Sequence, residues 1–479
     1  MRSADAPGGE NEVTVTSTPA VADSSMVTDK PAPAPDLPVV SDTRAAVRGA
    51  SPIALAGLVA NVANIGVTLG VARLLSTRGY GALNQLVAVF FVLSIPGSAL
   101  LVGIVRRITL WERMGHGARV PGWSYRTRRR ALVLVAVWAI IAVAIRGPLA
   151  RQLSLPGPGG LSETLIAGGF WGVLCLERGL LQARHAYRTL GANLLVEGLS
   201  RCILTITLVG AGFGVTGAAV AILLSVLLAE VHGLTSQGLM ARRARRGAQP
   251  KPDRAQAQPD ELPQLTTTEQ RRERRTLASD LLSALIALAL LAILQNFDVV
   301  LLGREAPGNA GSYAPISVAC KPLVLAAFVL AGFLLPEAAS RRHAGQHALR
   351  QLGVVLAVIA APAAILIVLS GAAPSQVLRI AFGPRLTAAA PAFLMLALAM
   401  TLLAATVLFT HYLLAAGRPV VLLVLAVGAA LTVVLLLSAH GALVATARVD
   451  LIGQAIVAFA TGVLVLHTAR QRLGSRSVG

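Results

Sequence analysis

Twelve stretches of this chain are long and apolar enough to cross a lipid bilayer, which leaves few folds open. They lie at about 51–72, 82–105, 131–150, 161–183, 190–211, 214–235, 277–302, 310–335, 349–371, 388–416, 419–439 and 442–467. About 20 apolar residues cross the roughly 30 Å hydrocarbon layer as a helix, and there only helices or closed barrels bond every backbone amide. The runs are continuous rather than alternating, so they read as helices. The expected class is an all-α integral membrane protein of about twelve transmembrane helices.

Composition agrees. Of 479 residues, 55% are apolar and 13% charged, whereas soluble proteins carry about 25% charged residues. The 42 basic residues outnumber the 22 acidic ones, giving a formal charge of +20, and the lysines are Lys30, Lys251 and Lys321. A basic balance often marks nucleic-acid binders, but here most of the basic residues fall between membrane-spanning runs, and no nucleic-acid partner is expected. The charge reports topology instead. With the N-terminus inside, about three quarters of the basic residues fall in cytoplasmic loops and tails, as the positive-inside rule requires. The richest segments run from Arg106 to Arg130 and from Arg242 to Arg275. Both termini are expected in the cytoplasm of a cell whose cytoplasmic membrane holds the chain.

This reading divides the chain into a disordered cytoplasmic tail at 1–45, a first lobe at 46–235, a basic cytoplasmic linker at 236–276, a second lobe at 277–468 and a short tail at 469–479. The first 45 residues hold no apolar run able to serve as a signal peptide. Cys175, Cys202 and Cys320 each lie inside an apolar run, as buried thiols rather than disulfides or metal ligands. The lobes echo one another: "ARLLSTRGYGAL" ends the first span and "LLGREAPGNAGSY" the seventh. Six helices separate the copies, an even number, so the repeats are parallel, related by an axis along the membrane normal.

Four segments carry a resemblance: "RLLSTRGYGALNQLVAVFFVLSIPGSAL" at 73–100, "ERGLLQARHAYRTLGANLLVEGLSR" at 177–201, "LQNFDVVLLGREAPGNAGSYAPISVACKPL" at 294–323 and "FGPRLTAAAPAFLMLALAM" at 382–400. With them the chain resembles the polysaccharide, or oligosaccharide-lipid, flippase family of the multidrug/oligosaccharidyl-lipid/polysaccharide exporter superfamily. The resemblance implies two pseudo-symmetric six-helix lobes around a central cavity. It also implies alternating-access movement of undecaprenyl-diphosphate-linked saccharides, with a polysaccharide polymerase or glycosyltransferases as partners and no cofactor or metal. It transfers no substrate-contact motif, so the candidate site rests on physics.

An ionisable group at the bilayer centre costs about 2.5–3.5 kcal/mol on insertion scales and normally faces a partner or a wet cavity. In the fifth span Asn193, Glu197, Arg201 and Thr205 recur every four residues on one face. Glu197 and Arg201 either neutralise each other at i, i+4, or Arg201 grips a diphosphate with its planar fork. Arg178 either snorkels to the headgroups or lines the mouth of the cavity. Lys321 precedes Pro322 and has no acidic neighbour at helical spacing, so its partner is another helix or the ligand. Asn61 and Asn64 form a softer stripe in the first span, open to helix packing or to sugar. Glu197, Asp298 and Asp450 are the coupling candidates, Asp298 pairing with Lys321, Arg304 or water and Asp450 sharing a face with Gln454 and Thr461.

The leading expectation is a lipid-linked saccharide flippase. A cation-coupled antiporter of drugs or small solutes is the alternative within the same fold, disfavoured by the basic balance of the intramembrane charges. A membrane glycosyltransferase or ligase would need acidic or His groups in sizeable outer loops, and these loops are short, so no enzyme is expected.

Overall fold

The computed structural model describes residues 41–113, 115–247, 267–343 and 349–474. Among them every regular element is a helix: α1 (Ser41–Leu74), α2 (Thr77–Arg113), α3 (Val120–Gln152), α4 (Leu161–Ala183), α5 (Tyr187–Leu208), α6 (Gly214–Gly247), α7 (Thr267–Glu305), α8 (Pro307–His343), α9 (Leu349–Ala372), α10 (Pro374–Phe382), α11 (Ala390–Ala415), α12 (Val420–Ser438) and α13 (Leu443–Gly474), with single turns at Gly117–Arg119, Val209–Phe213 and Pro384–Leu386. Arg48–Gly479 forms one unit, which holds all of α2 to α13, and the segment up to Val47 forms another.

Each expected span falls on one helix, and the nine-residue α10 is an addition. Ten described segments are apolar enough to cross a membrane; one of them, the 54-residue Tyr187–Met240, contains both α5 and α6, and the described apolar part of α1 is Val62–Leu74. The chain is a multi-pass membrane protein. α5 and α6 are divided where Gly212 (φ 93°) and Gly214 (φ 56°) take left-handed backbone that other residues rarely adopt.

The helices run further than the apolar signal. Arg106 to Arg130, expected as a loop, is mostly helix: α2 continues to Arg113 and α3 starts at Val120. The linker shortens likewise, with α6 reaching Gly247 and α7 starting at Thr267. Residues 1–40 of the expected tail and 248–266 of the linker lie outside the described residues. Polar turns projecting beyond the bilayer carry no hydrophobic periodicity, so apolar runs locate only the embedded part of each helix.

Burial sorts the helices. In α4 and α11, 72% and 61% of the spanning window is buried, against 11% in α3 and 17% in α9. α3 turns Leu134, Val137 and Ile140 outward, consistent with a lipid-facing position. One packing pattern occurs twice: α2 on α4, α3 on α4, α4 on α6 and α5 on α6 are matched by α8 on α11, α9 on α11, α11 on α13 and α12 on α13. That repetition defines two like six-helix lobes.

The lobes meet where α2 packs on α7 and α8. Close approach there requires glycine: a β-carbon on Gly81 would sit 2.4 Å from the Gly311 nitrogen, and one on Gly311 would sit 1.8 Å from the Thr77 carbonyl oxygen. Gln85 fills the space beside Gly303 and donates to the carbonyls of Val300 (3.2 Å) and Leu153 (3.0 Å). Ser154 donates to the Arg304 carbonyl at 2.7 Å. Gly311→Ala is therefore expected to lower thermal stability in detergent, at an overpacking cost of about 1–3 kcal/mol. Gly70→Ala, where an added carbon meets nothing within 4 Å, is expected to leave the melting temperature unchanged or slightly raised. Equal melting temperatures for the two variants would contradict the packed crossing.

Candidate functional site

A cavity of about 410 Å³ opens between the lobes, lined from α1, α2, α5, α6, α7 and α8. Tyr80, next to Gly81 of the glycine crossing, is a buried part of the lining, and its ring lies 6.5 Å from that of Phe382. Ile65, Phe91, Leu325 and Val329 also line it and are at least 40% exposed, so its mouth is apolar. The charged lining residues, among those described, are Arg201 and Lys321. Asn64, Thr68, Asn84, Thr205 and Asn296 add hydrogen-bonding groups.

Arg201 reaches the cavity because α5 sets it one turn beyond Glu197, with which it pairs. Its guanidinium carbon lies 5.9 Å from the Phe90 ring centroid, and its Nε donates to Ser225 Oγ at 3.5 Å. The other oxygen of Glu197 accepts from Arg178 of α4 at 2.8 Å. Arg178 also donates to Asn193 Oδ1 at 2.8 Å and faces the Trp171 ring at 5.2 Å. It is buried, so it neither snorkels to the headgroups nor lines the mouth. Asn193 in turn donates to the Ala229 carbonyl of α6 at 2.6 Å. A second group lies beside this one on α4, where Glu177 accepts from Arg128 Nε at 2.6 Å and pairs with Gln237.

In the second lobe Lys321 lies 3.7 Å from Asp298 and donates to Asn296 at 3.4 Å. Asp298, Asp450 and Gln454 are buried; Gln454 donates to Asp450 at 3.2 Å and to the Leu294 carbonyl at 2.9 Å. Thr461, on the same face of α13, is buried too, whereas Arg448 is exposed. Among the described residues no group of three or more His, Cys, Asp or Glu is arranged to hold a metal ion.

The sequence candidates thus fall into three places. Arg201, Lys321 and Asn64 line the cavity; Arg178, Asn193 and Glu197 are packed behind Arg201; Asp298 and Asp450 are packed behind Lys321. The side chain of Asn61 lies outside the described residues. Sequence reasoning missed Tyr80, Asn84 and Asn296 in the lining, Arg128 and Gln237 in the network, and Glu230, a buried acid alone in the apolar run 214–235. The intramembrane charge rule that selected Glu197 applies equally to Glu230.

Neither a protein-family model nor a curated protein matches this sequence. Solved structures do. A multidrug resistance MATE family transporter of the MOP superfamily in an inward-facing conformation aligns at TM-score 0.58 and 13% identity, covering 86% of this chain and 96% of that one. An outward-facing MATE transporter aligns at 0.57 and 15%, covering 90% and 96%. A MOP superfamily transporter from Pyrococcus furiosus, whose reverse polarity of binding pocket suggests a different function, aligns at 0.57 and 15%, covering 90% and 95%. The fold is that of the MOP-superfamily transporters. At these identities the likeness is one of architecture, and the site is read from this chain's own residues.

Arg178 is packed on all sides, whereas Arg201 has an open face on the cavity. Removing one partner of a buried ion pair costs about 3–5 kcal/mol. Arg178→Ala is accordingly expected to lower the melting temperature in detergent markedly, and Arg201→Ala much less. The reverse order would contradict the assignment of Arg178 to the framework and Arg201 to the cavity.

Proposed function

We propose that this chain is a membrane transporter, not an enzyme, that moves an anionic amphiphile between leaflets, specifically a saccharide linked through diphosphate to undecaprenyl. The observation that carries this reading is the cavity whose charged lining residues, among those described, are Arg201 and Lys321. A diphosphate suits such a pair, because guanidinium forks and ammonium groups make charge-assisted bonds to phosphate oxygens. The asparagines and threonines of the lining suit sugar hydroxyls. A polyprenyl chain exceeds 410 Å³, and the apolar mouth at Ile65, Phe91, Leu325 and Val329 lets the tail stay in lipid while the headgroup enters.

Orientation follows from charge. The exposed Arg106, Arg119, Arg126, Arg129 and Arg130 lie at the bundle end opposite the glycine crossing, so the positive-inside rule puts that end, and both termini, in the cytoplasm. The glycine crossing then closes the outer side, and alternating access requires α2 and α8 to part there.

A second reading is favoured by Asp298 and Asp450. Two buried carboxylates beside one lysine suit a cation-coupled antiporter, and the fold neighbours include multidrug transporters.

Reconstitution separates the two. Proteoliposomes are expected to move a fluorescent undecaprenyl-diphosphate saccharide between leaflets, with Arg201→Gln and Lys321→Gln each at least about tenfold slower, the equivalent of about 1.4 kcal/mol. Short prenyl diphosphates are expected to compete and cationic dyes are not. Equal rates in empty and protein-containing vesicles would overturn the flippase reading, and dye uptake against a proton or sodium gradient would establish the antiporter.

A further inference from the structure

Glu230 of α6 takes no part in the pairings described above. It is 5% exposed, and neither carboxylate oxygen has a hydrogen-bond partner. It sits on α6 beside both bonded groups, that of Glu177 and that of Glu197. The carbonyl of the preceding Ala229 accepts from Asn193 of α5. One turn on, Gly233 lies against Glu177 and Asn193, where a β-carbon would stand 3.2 Å from the Glu177 β-carbon.

The charged and titratable groups facing Glu230 are Arg128 of α3 and Glu177 and Arg178 of α4. Cys175 of α4 lies within electrostatic reach of Glu230 and Glu197 together. His232 shares α6 and contacts Asn193 at 3.4 Å.

The charges of this cluster decide what Arg201 presents to the cavity. Its buried and partly buried arginines are Arg128, Arg178 and Arg201 and its acids Glu177, Glu197 and Glu230, while Arg184, which also acts on Glu177, is exposed and answered by water. With Glu230 neutral, the cluster carries one excess positive charge. Glu197 divides its oxygens between Arg178 and Arg201, so the excess is shared by them, and Arg201 is the one open to the cavity. With Glu230 ionised, the groups resolve into Arg128 with Glu177, Arg178 with Glu230 and Arg201 with Glu197, and no net charge remains for a ligand.

We propose that Glu230 is a proton-binding site coupled to the cavity: a proton on Glu230 keeps Arg178 on Glu197 and frees Arg201 for an anionic headgroup, and its loss turns Arg178 to Glu230 and leaves Glu197 to neutralise Arg201. The proton comes from water at the end of the lobe where Arg128 is partly exposed and Gln237 pairs with Glu177. It returns there when the anion leaves. The inference rests on the anion-transport reading and deepens it, because linkage is reciprocal: if protonation favours the anion, the anion draws in a proton.

Calorimetry tests this on full-length protein in detergent, with farnesyl diphosphate as probe, titrated at several pH values from about 6 to about 9, each in two buffers of different ionisation enthalpy. The heat difference between buffers counts the protons taken up. At the pH where the difference is largest, wild-type protein is expected to take up as much as about one proton more per bound probe than Glu230→Gln, with affinity falling up to about tenfold per unit rise in pH across that range. Comparing two proteins cancels the probe's own titration. Glu230→Gln preserves shape and is expected to bind without the extra uptake, and Glu230→Asp, which keeps the carboxyl, is expected to restore it. Equal proton uptake by wild type and Glu230→Gln would overturn the coupling while leaving the anion reading standing. Failure of every protein to bind the probe would overturn both.

Discussion

Glu197 is one carboxylate held by two arginines inside a membrane-spanning lobe, and the chemistry of the cavity depends on how it is shared. A guanidinium in hydrocarbon is tolerated only when its charge is answered by a partner or by water. Arg178 is answered wholly from within, by Glu197 and Asn193. Arg201 is answered by the same carboxylate on one side and stays open to the cavity on the other. One acid therefore does two jobs. It ties α4 to α5 as structure, and under the proposed function it limits how strongly the cavity would attract an anion.

The lobes repeat one packing scheme with different chemistry inside it. In the first, the buried charges form two bonded groups side by side, Arg128 with Glu177, and Arg178 with Glu197 and Arg201. In the second, Asp298 and Asp450 are buried behind Lys321 with fewer partners, Asp298 meeting Lys321 only at 3.7 Å. Both lobes send one basic side chain into the cavity, and in both the acids stay behind it. That arrangement makes the lining positive although buried carboxylates are close at hand. The glycine crossing of α2 and α8 belongs to the same logic. Backbone packs on backbone there, with Gln85 and Ser154 bonding carbonyls alongside, and a contact made of glycines has few side chains to repack.

The twelve membrane helices were legible in the sequence because hydrocarbon imposes a length and composition that water does not. The segment from Arg106 to Arg130 misled for the converse reason: outside the bilayer a helix has no such signature, and α2 and α3 extend into it unannounced. The site divides the same way. Arg201 and Lys321 stood out because charges are rare in apolar runs. Glu230 is an equally rare charge, but it forms no polar stripe of the kind that marked Glu197 in the fifth span. Tyr80, Asn84 and Asn296 were not legible, because uncharged polar groups are common in membrane helices as packing elements. The destination of Arg178 was not legible either. Its partners lie fifteen and nineteen residues away on the next helix, and only the crossing of α4 and α5 brings them together.

The combination of lining and mouth narrows the ligand further than charge alone. A free hydrophilic anion would gain from Arg201 and Lys321 but nothing from Ile65, Phe91, Leu325 and Val329, which would remain wetted around it. A neutral lipid would cover those side chains but offer nothing to the open faces of Arg201 and Lys321, whose partners Glu197 and Asp298 lie behind them. A molecule with an anionic, hydrogen-bonding head and a long apolar tail answers both halves at once. Under the proposed function the head would offset the positive lining while the tail stayed in the hydrocarbon, so transfer would require desolvating only the head.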